Sequence, residues 1–155
     1  MQTIGQYLAE HPFFAGLDDD VLEQLAGCAT NVHLHPNEYL LREGEPADRF
    51  YAVRRGRVSI EVRKAAGRPV MLDTAQDGEI VGWSWLIPPN LAKFDARATT
   101  ETSAVAFDAA CLRGKCEADP RLGYALLHRV TQVMDRRLQS ARLRLLDLYA
   151  VEAEA

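Results

Sequence analysis

The segment from Thr30 to Asp108 consists of short apolar runs, each closed by turn-forming residues at roughly 8–12-residue spacing. The runs are Val32–Leu34, Tyr39–Leu41, Phe50–Val53, Val58–Val62, Val70–Leu72, Phe94–Thr100 and Ala104–Phe107. Many short strands at this spacing are typical of an antiparallel sandwich or barrel and not of a sheet built from βαβ units. This segment therefore predicts a β-roll as the centre of the fold.

Helical sequence flanks these strands on both sides. We predict two short helices at Gln2–Glu10 and Val21–Ala29, and a third at Asp108–Glu117. A long helix then opens with Pro120 at its first position and runs to about Tyr149.

Composition limits the class of protein. With 155 residues, 48% hydrophobic content and a net charge of -4, the chain suits one soluble domain, not a disordered or strongly basic nucleic-acid-binding chain. It contains no apolar run long enough for a membrane span and no signal peptide at its start. The odd cysteine count (Cys28, Cys111, Cys116) favours reduced thiols, so we expect a cytoplasmic protein.

The long helix carries apolar residues at alternating spacings of four and three. The positions are Leu127, Thr131, Met134, Leu138, Ala141, Leu145 and Leu148. Such a heptad seam is typical of a coiled coil, whereas Leu126, Val130 and Val133 widen the stripe over the first half. We predict that the helix packs on the barrel early and on a second copy late, forming a homodimer through residues 134–148. The alternative is that the whole helix packs on its own domain.

The turns and strands resemble those of the cyclic-nucleotide-binding domain family. The matching stretches are Pro36–Leu40, Glu43–Asp48, Phe50–Val58 and Asp77–Gly82, and Arg136–Gln139 resembles the dimer helix of catabolite-activator-type regulators. The resemblance implies a mainly β fold: an eight-stranded antiparallel jelly roll with a short internal helix, flanking helices and a long C-terminal helix. It also implies a single domain over 1–155, with N-terminal helices at 1–29, strands at 30–108, a ligand cassette at 77–97 and C-terminal helices at 109–150.

The cassette departs from the family pattern at its polar positions. In the family, a glycine–glutamate pair opens the internal helix and the glutamate binds the ribose, while an arginine about ten residues later clamps the cyclic phosphate. Here Gly82 is followed by Trp83. Counted forward from Gly82 the clamp position is Lys93, and counted back from Arg97 it is Ala92. These departures argue against ordinary cyclic-AMP or cyclic-GMP binding.

The candidate ligand site remains near the internal helix. Its residues are Gly82, Trp83, Ser84, Trp85, Lys93 and Arg97. The two tryptophans of this set either form a stacking pocket with Phe94 or fill the old pocket as core. Arg97 either faces the pocket or lies on the outer strand face, paired with Asp95 or Glu101. A cyclic nucleotide or another small anionic ligand is the candidate ligand.

One possible metal motif fails on spacing. His33, His35 and Glu38 approach the first metal motif of cupins, but His35 and Glu38 are too close together in sequence. The partner motif is missing too, since the other histidines are His11 and His128. The sequence therefore predicts no metal site, and since it also lacks a Gly-x-Ser-x-Gly elbow we expect no enzyme.

We expect a stand-alone sensor that binds a small ligand and signals through its long helix to a partner protein. The sequence ends at Ala155 with no helix-turn-helix after that helix, so we expect no sequence-specific DNA binding. The alternative is a ligand-free interaction or scaffold protein with a filled pocket.

Overall fold

Two four-stranded antiparallel sheets face each other in the computed structural model, which describes residues 2–63, 65 and 67–154. The strands are β1 Ala29–Leu34, β2 Tyr39–Leu41, β3 Arg49–Arg55, β4 Arg57–Arg63, β5 Pro69–Gln76, β6 Ile80–Val81, β7 Asp95–Ala98 and β8 Thr102–Asp108. Their order is β1-β8-β3-β6 in the first sheet and β2-β7-β4-β5 in the second. The predicted mainly β, eight-stranded jelly roll is confirmed. Each predicted strand is present, and the two-residue β6 is the addition.

Helices flank the roll on both sides as predicted, but the second helix ends at Ala26 and not at the predicted Ala29, which begins β1. They are α1 Ile4–Glu10, α2 Asp19–Ala26, α3 Ala109–Ala118 and α4 Pro120–Glu154, and Ser84–Leu86 forms one 3-10 turn. The first helix starts two residues later than predicted because Thr3 caps it: the Thr3 hydroxyl accepts from the Gln6 amide, and the Gln6 side chain accepts from the Thr3 amide. The Asp108 carboxylate caps α3 by accepting from the Cys111 amide at 3.0 Å.

Two apolar cores lie on opposite faces of the first sheet. The roll core, between the sheets, includes Leu41, Tyr51, Val53, Val58, Ile60, Val81, Ala92, Ala96 and Ala98. The helix core, between the first sheet and the helices, includes Phe14, Phe50, Trp85, Val105, Phe107, Leu122, Leu126 and Val130. Alternation along β3 sends Phe50 to the helix core and Tyr51 to the roll core. Because that strand is buried on both faces, its sequence is an unbroken apolar run.

The long helix α4 divides into two halves. Leu126, Val130 and Val133 are buried in the helix core, as the wide stripe predicted. Farther along, Arg137 donates to the Ile80 carbonyl at 2.8 Å and Arg144 donates to a carbonyl of β5. Beyond these contacts the apolar side chains of α4 are exposed, so the helix has a packed first half and an uncovered second half.

The expectation of three reduced thiols is wrong in this structure, because Cys28 and Cys111 form a disulfide with their Cα atoms 5.7 Å apart. Strands β1 and β8 pair Ala29 with Phe107, and the Asp108 amide donates to the Cys28 carbonyl at 2.9 Å. That register places Cys28 beside the first turn of α3, where Cys111 lies. The two cysteines are 83 residues apart, so sequence spacing gives no sign of the pairing. Cys116 is a half-buried free thiol.

Candidate ligand site

The internal helix of the cassette is a single 3-10 turn, Ser84–Leu86, separated from β6 by Gly82 and Trp83. Gly82 precedes it with a φ of +90°, a backbone conformation that glycine adopts without strain. A Cβ at this position would lie 3.0 Å from Leu41 Cδ1 of the roll core. Gly82 thus makes the turn possible and lets an apolar side chain approach the start of the cassette.

Both tryptophans of the candidate site belong to the helix core. Trp85 is fully buried, with its ring centroid 5.7 Å from that of Phe50. Trp83 is half-buried, and the Arg137 guanidinium lies 5.0 Å from the centre of its ring. Phe94 packs instead against the roll core, so the three aromatic rings do not form one stacking pocket. Both tryptophans therefore lie on the helix side of the first sheet, and neither fills the interior of the roll.

Of the two residues that the sequence counts give for the clamp position, Ala92 faces the interior of the roll. Its methyl group is buried in the roll core, and two backbone hydrogen bonds hold the residue against the β2–β3 turn. The Gly44 amide donates to the Ala92 carbonyl at 2.8 Å, and the Ala92 amide donates to the Glu45 carbonyl at 2.9 Å. The neighbouring Lys93 is exposed. This register therefore directs a methyl group, and not a cation, into the roll.

Arg97 lies on the outer face of the second sheet. Its strand neighbours in β7 are alanines of the roll core, so alternation turns Arg97 outward. There its guanidinium forms a bidentate ion pair with the Glu61 carboxylate of β4. Nη2 lies 2.8 Å from Oε2, and Nε lies 3.1 Å from Oε1. Ser59 donates to the same carboxylate at 3.1 Å. The hydrogen bonds from Arg97 lower the pKa of Glu61, and those to Glu61 raise the pKa of Arg97.

The outward direction of Arg97 was one of the two alternatives, but both of its expected partners are wrong. The Asp95 carboxylate lies 3.4 Å from the Arg63 guanidinium of β4 and 3.8 Å from that of Arg42. Glu101 contacts His33 and His35. Glu61 was missed because the alternation of β4 predicts an exposed polar face, whereas its side chain is only 5% exposed.

A cleft of about 950 Å³ opens between β5, the β5–β6 turn and α4. Its charged lining residues are Asp73, Asp77, Glu79, Arg136, Arg137 and Arg144. Burial lowers the pKa of Arg137, whose Nε lies 3.7 Å from the Asp73 carboxylate. The sequence did not predict this cleft, because it forms where α4 crosses β5. Its lining residues Asp73 and Arg137 are more than sixty positions apart in the chain.

The predicted dimer residues lie on the second half of α4. Met134 is half-buried against the helix core. Leu138, Ala141, Leu145 and Leu148 are exposed. The alternative, in which the whole helix packs on its own domain, fails for these four residues.

The chain matches the family model for the cyclic nucleotide-binding domain over residues 31–119, and it belongs to that family. It is 28% identical over 143 residues to a CRP-like cAMP-activated global transcriptional regulator of Mycobacterium tuberculosis. That match covers 92% of this chain and 62% of the relative, so the chain spans less than two thirds of the regulator's length.

Solved structures give the same fold. A candidate cyclic nucleotide-binding protein from Geobacter metallireducens superimposes with a TM-score of 0.78 at 27% identity, covering 89% of this chain and 99% of that one. The N-terminal domain of a transcriptional regulator from Streptomyces coelicolor superimposes with a TM-score of 0.67 at 28% identity, covering 86% and 94%. Among the described residues, no helix combines the length and hydropathy that crossing a bilayer requires.

Proposed function

We propose that this chain is a regulatory module that works without a cyclic nucleotide in its roll and acts through pairing of its α4 helices. The observation that carries the proposal is the side chain at the clamp position, the buried methyl group of Ala92. The nearest cation in sequence, Lys93, is exposed, and Arg97 is held by Glu61 on the outer sheet face. A cyclic phosphate needs a positive charge that faces it, and these positions supply none to the roll interior.

A second copy of the chain is the occupant that α4 suits best. The heptad spacing continues through the exposed half of the helix, which is the pattern that lets two identical helices interlock. Arg137 and Arg144, seven residues apart, bind backbone carbonyls of the chain's own roll. These tethers fix one side of α4 against the domain, and the adjacent seam residue Leu138 remains 51% exposed. The seam residues of α4 therefore face solvent, where the α4 helix of a second copy can contact them.

Sedimentation velocity tests the pairing with two matched variants. Leu138→Arg places a charge in the seam and is expected to yield a monomer. Leu143→Arg places the same charge on α4 outside the seam, where the side chain is 63% exposed, and is expected to leave the dimer intact. If Leu138→Arg keeps the mass of the unaltered protein, the seam is not the interface.

Thermal stability tests the independence from nucleotides. A ligand that binds only the native state raises the melting temperature. We expect no shift with millimolar cyclic AMP, cyclic GMP or cyclic dinucleotides. A concentration-dependent rise with any of them would contradict the proposal.

A small-ligand sensor is the second candidate function, and the cleft of about 950 Å³ favours it, because Arg137 lines the cleft and also lies over the Trp83 ring. A ligand that displaced the Arg137 guanidinium from the indole would change the fluorescence of Trp83. We would titrate small carboxylic acids and nucleotides into the protein and into Trp83→Phe. A saturable change that Trp83→Phe abolishes supports the sensor, and an unchanged emission with all of them excludes it for these ligands.

A further inference from the structure

Two histidines and a glutamate meet at one end of the first sheet, outside the interior of the roll. At the end of β1, His33 pairs with Ser103 of β8 and Leu34 pairs with Thr102. The next step along this register brings His35 opposite Glu101. Residues two apart point to the same face of a strand, so both imidazoles and the carboxylate share the face opposite to the roll core, into which Leu34 points.

The three side chains converge on one point. His33 Nε2 lies 2.5 Å from Glu101 Oε2, and His35 Nδ1 lies 3.1 Å from the same oxygen. All three potential ligand atoms lie within 4.8 Å of one another. The side chains are 51%, 68% and 58% exposed, so an ion can reach them directly from solvent.

We propose that His33, His35 and Glu101 form a binding site for a divalent transition-metal ion of the zinc class. Two imidazole nitrogens and one carboxylate oxygen are a ligand set that suits Zn²⁺, and water would complete the coordination shell. Bonds of about 2.0–2.1 Å in a tetrahedron separate the ligand atoms by about 3.3 Å. The 3.1 Å contact already matches this spacing, and the 2.5 Å contact needs to open by less than one ångström.

The surroundings add negative charge to the site. The Glu38 carboxylate accepts a hydrogen bond from the His35 amide at 3.2 Å, which keeps a second acid next to the imidazole. Glu38 was the acid weighed from sequence, and its spacing from His35 argued against a metal. The ligand that the fold supplies is Glu101, 66 positions farther along the chain than His35. Sequence spacing could not reveal it, because β1–β8 pairing creates the contact.

Isothermal titration of zinc chloride into the chelator-stripped full chain tests the site, with Co²⁺ absorption in the visible range as a second readout of coordination. We expect one saturable equivalent of Zn²⁺ and a rise in melting temperature on binding. The variants are His33→Ala, His35→Ala and Glu101→Gln. Each removes or neutralises one ligand on an exposed surface, and each is expected to weaken binding by at least about tenfold.

Two matched controls separate this site from other metal-binding side chains. His128→Ala removes an exposed histidine of α4, and Cys116→Ser removes the free thiol; both should bind Zn²⁺ as the unaltered chain does. Binding that persists unchanged in His33→Ala and His35→Ala overturns the proposal, as does loss of binding in either control. The absence of saturable binding to the unaltered chain also overturns it.

Discussion

Replacing Arg97 by alanine isolates the energetic role of the ion pair on the second sheet. In the structure the Glu61 side chain is 5% exposed and the Arg97 side chain 25% exposed, and two charge-assisted hydrogen bonds join them. The substitution removes both bonds and leaves, among the described residues, the Ser59 hydroxyl as the side-chain donor to the carboxylate. The buried charge has then lost both hydrogen bonds from a cation, and Arg63 still acts on it as a nearby positive charge.

The expected cost follows from that burial. Breaking a fully buried pair costs about 3–5 kcal/mol, because the remaining charge has lost its water and its partner. A quarter of the Arg97 side chain is open to solvent, and Ser59 still contacts the carboxylate. We therefore expect Arg97→Ala to lower the free energy of unfolding by about 3 kcal/mol, at the low end of that range.

Urea denaturation of the single and double variants measures this effect. The double variant Arg97→Met with Glu61→Leu removes both charges and keeps the side-chain volume, so its free energy of unfolding should lie within about 1 kcal/mol of that of the unaltered chain. A loss below about 1 kcal/mol in Arg97→Ala would refute the reasoning. A double variant no more stable than Arg97→Ala would refute it as well.

Three further predictions concern single residues. Both ring nitrogens of the buried His11 hydrogen-bond to backbone groups, and burial lowers the pKa of this histidine below 6.5. The free energy of unfolding should therefore be constant above pH 6.5 and fall as the pH drops toward the pKa of the folded state. Urea titrations at several pH values should show that His11→Gln reduces this loss. Trp85→Ala should cost about 3–5 kcal/mol by the same assay, because the indole is fully buried. Gly56→Ala should destabilise the protein by more than about 1 kcal/mol, because the φ of Gly56 is +125° and the new Cβ would lie 2.8 Å from a backbone oxygen. As its matched control, Gly114→Ala in α3 should stabilise the protein by about 0.5–1 kcal/mol. Calorimetric melting scans measure both changes.

Local patterns in the sequence predicted most of the fold. Alternation and turn residues mark strands wherever one face of the strand differs from the other, and capping residues such as Asp108 mark where helices begin. Strand β6 was not predicted, because its two residues, Ile80 and Val81, are too few to show an alternating pattern. The seam of α4 was visible because its spacing continues through several turns of one helix.

The candidate site was harder to predict, since it depends on which distant residues meet. One backbone step decides whether Ala92 or Lys93 faces the roll, and sequence counts from either side disagreed by that step. Glu61 and Glu101 were missed for a related reason: each meets its partner through pairing between strands, which no local spacing records. The disulfide of Cys28 arises in the same way.

The exposed second half of α4 would link the order of this helix to protein concentration. Residues 145–154 extend about 15 Å beyond Arg144, and among the described residues no side-chain hydrogen bond joins them to the roll; helical segments this short depend on packing for most of their stability. On the proposed pairing, these residues gain an apolar partner surface that a lone chain does not offer them. Assembly and ordering of this part of α4 would then be one equilibrium, which shifts with the amount of protein present. On the proposed pairing, the concentration of the chain, and not that of a small molecule, would set the fraction of molecules in which this part of α4 is covered.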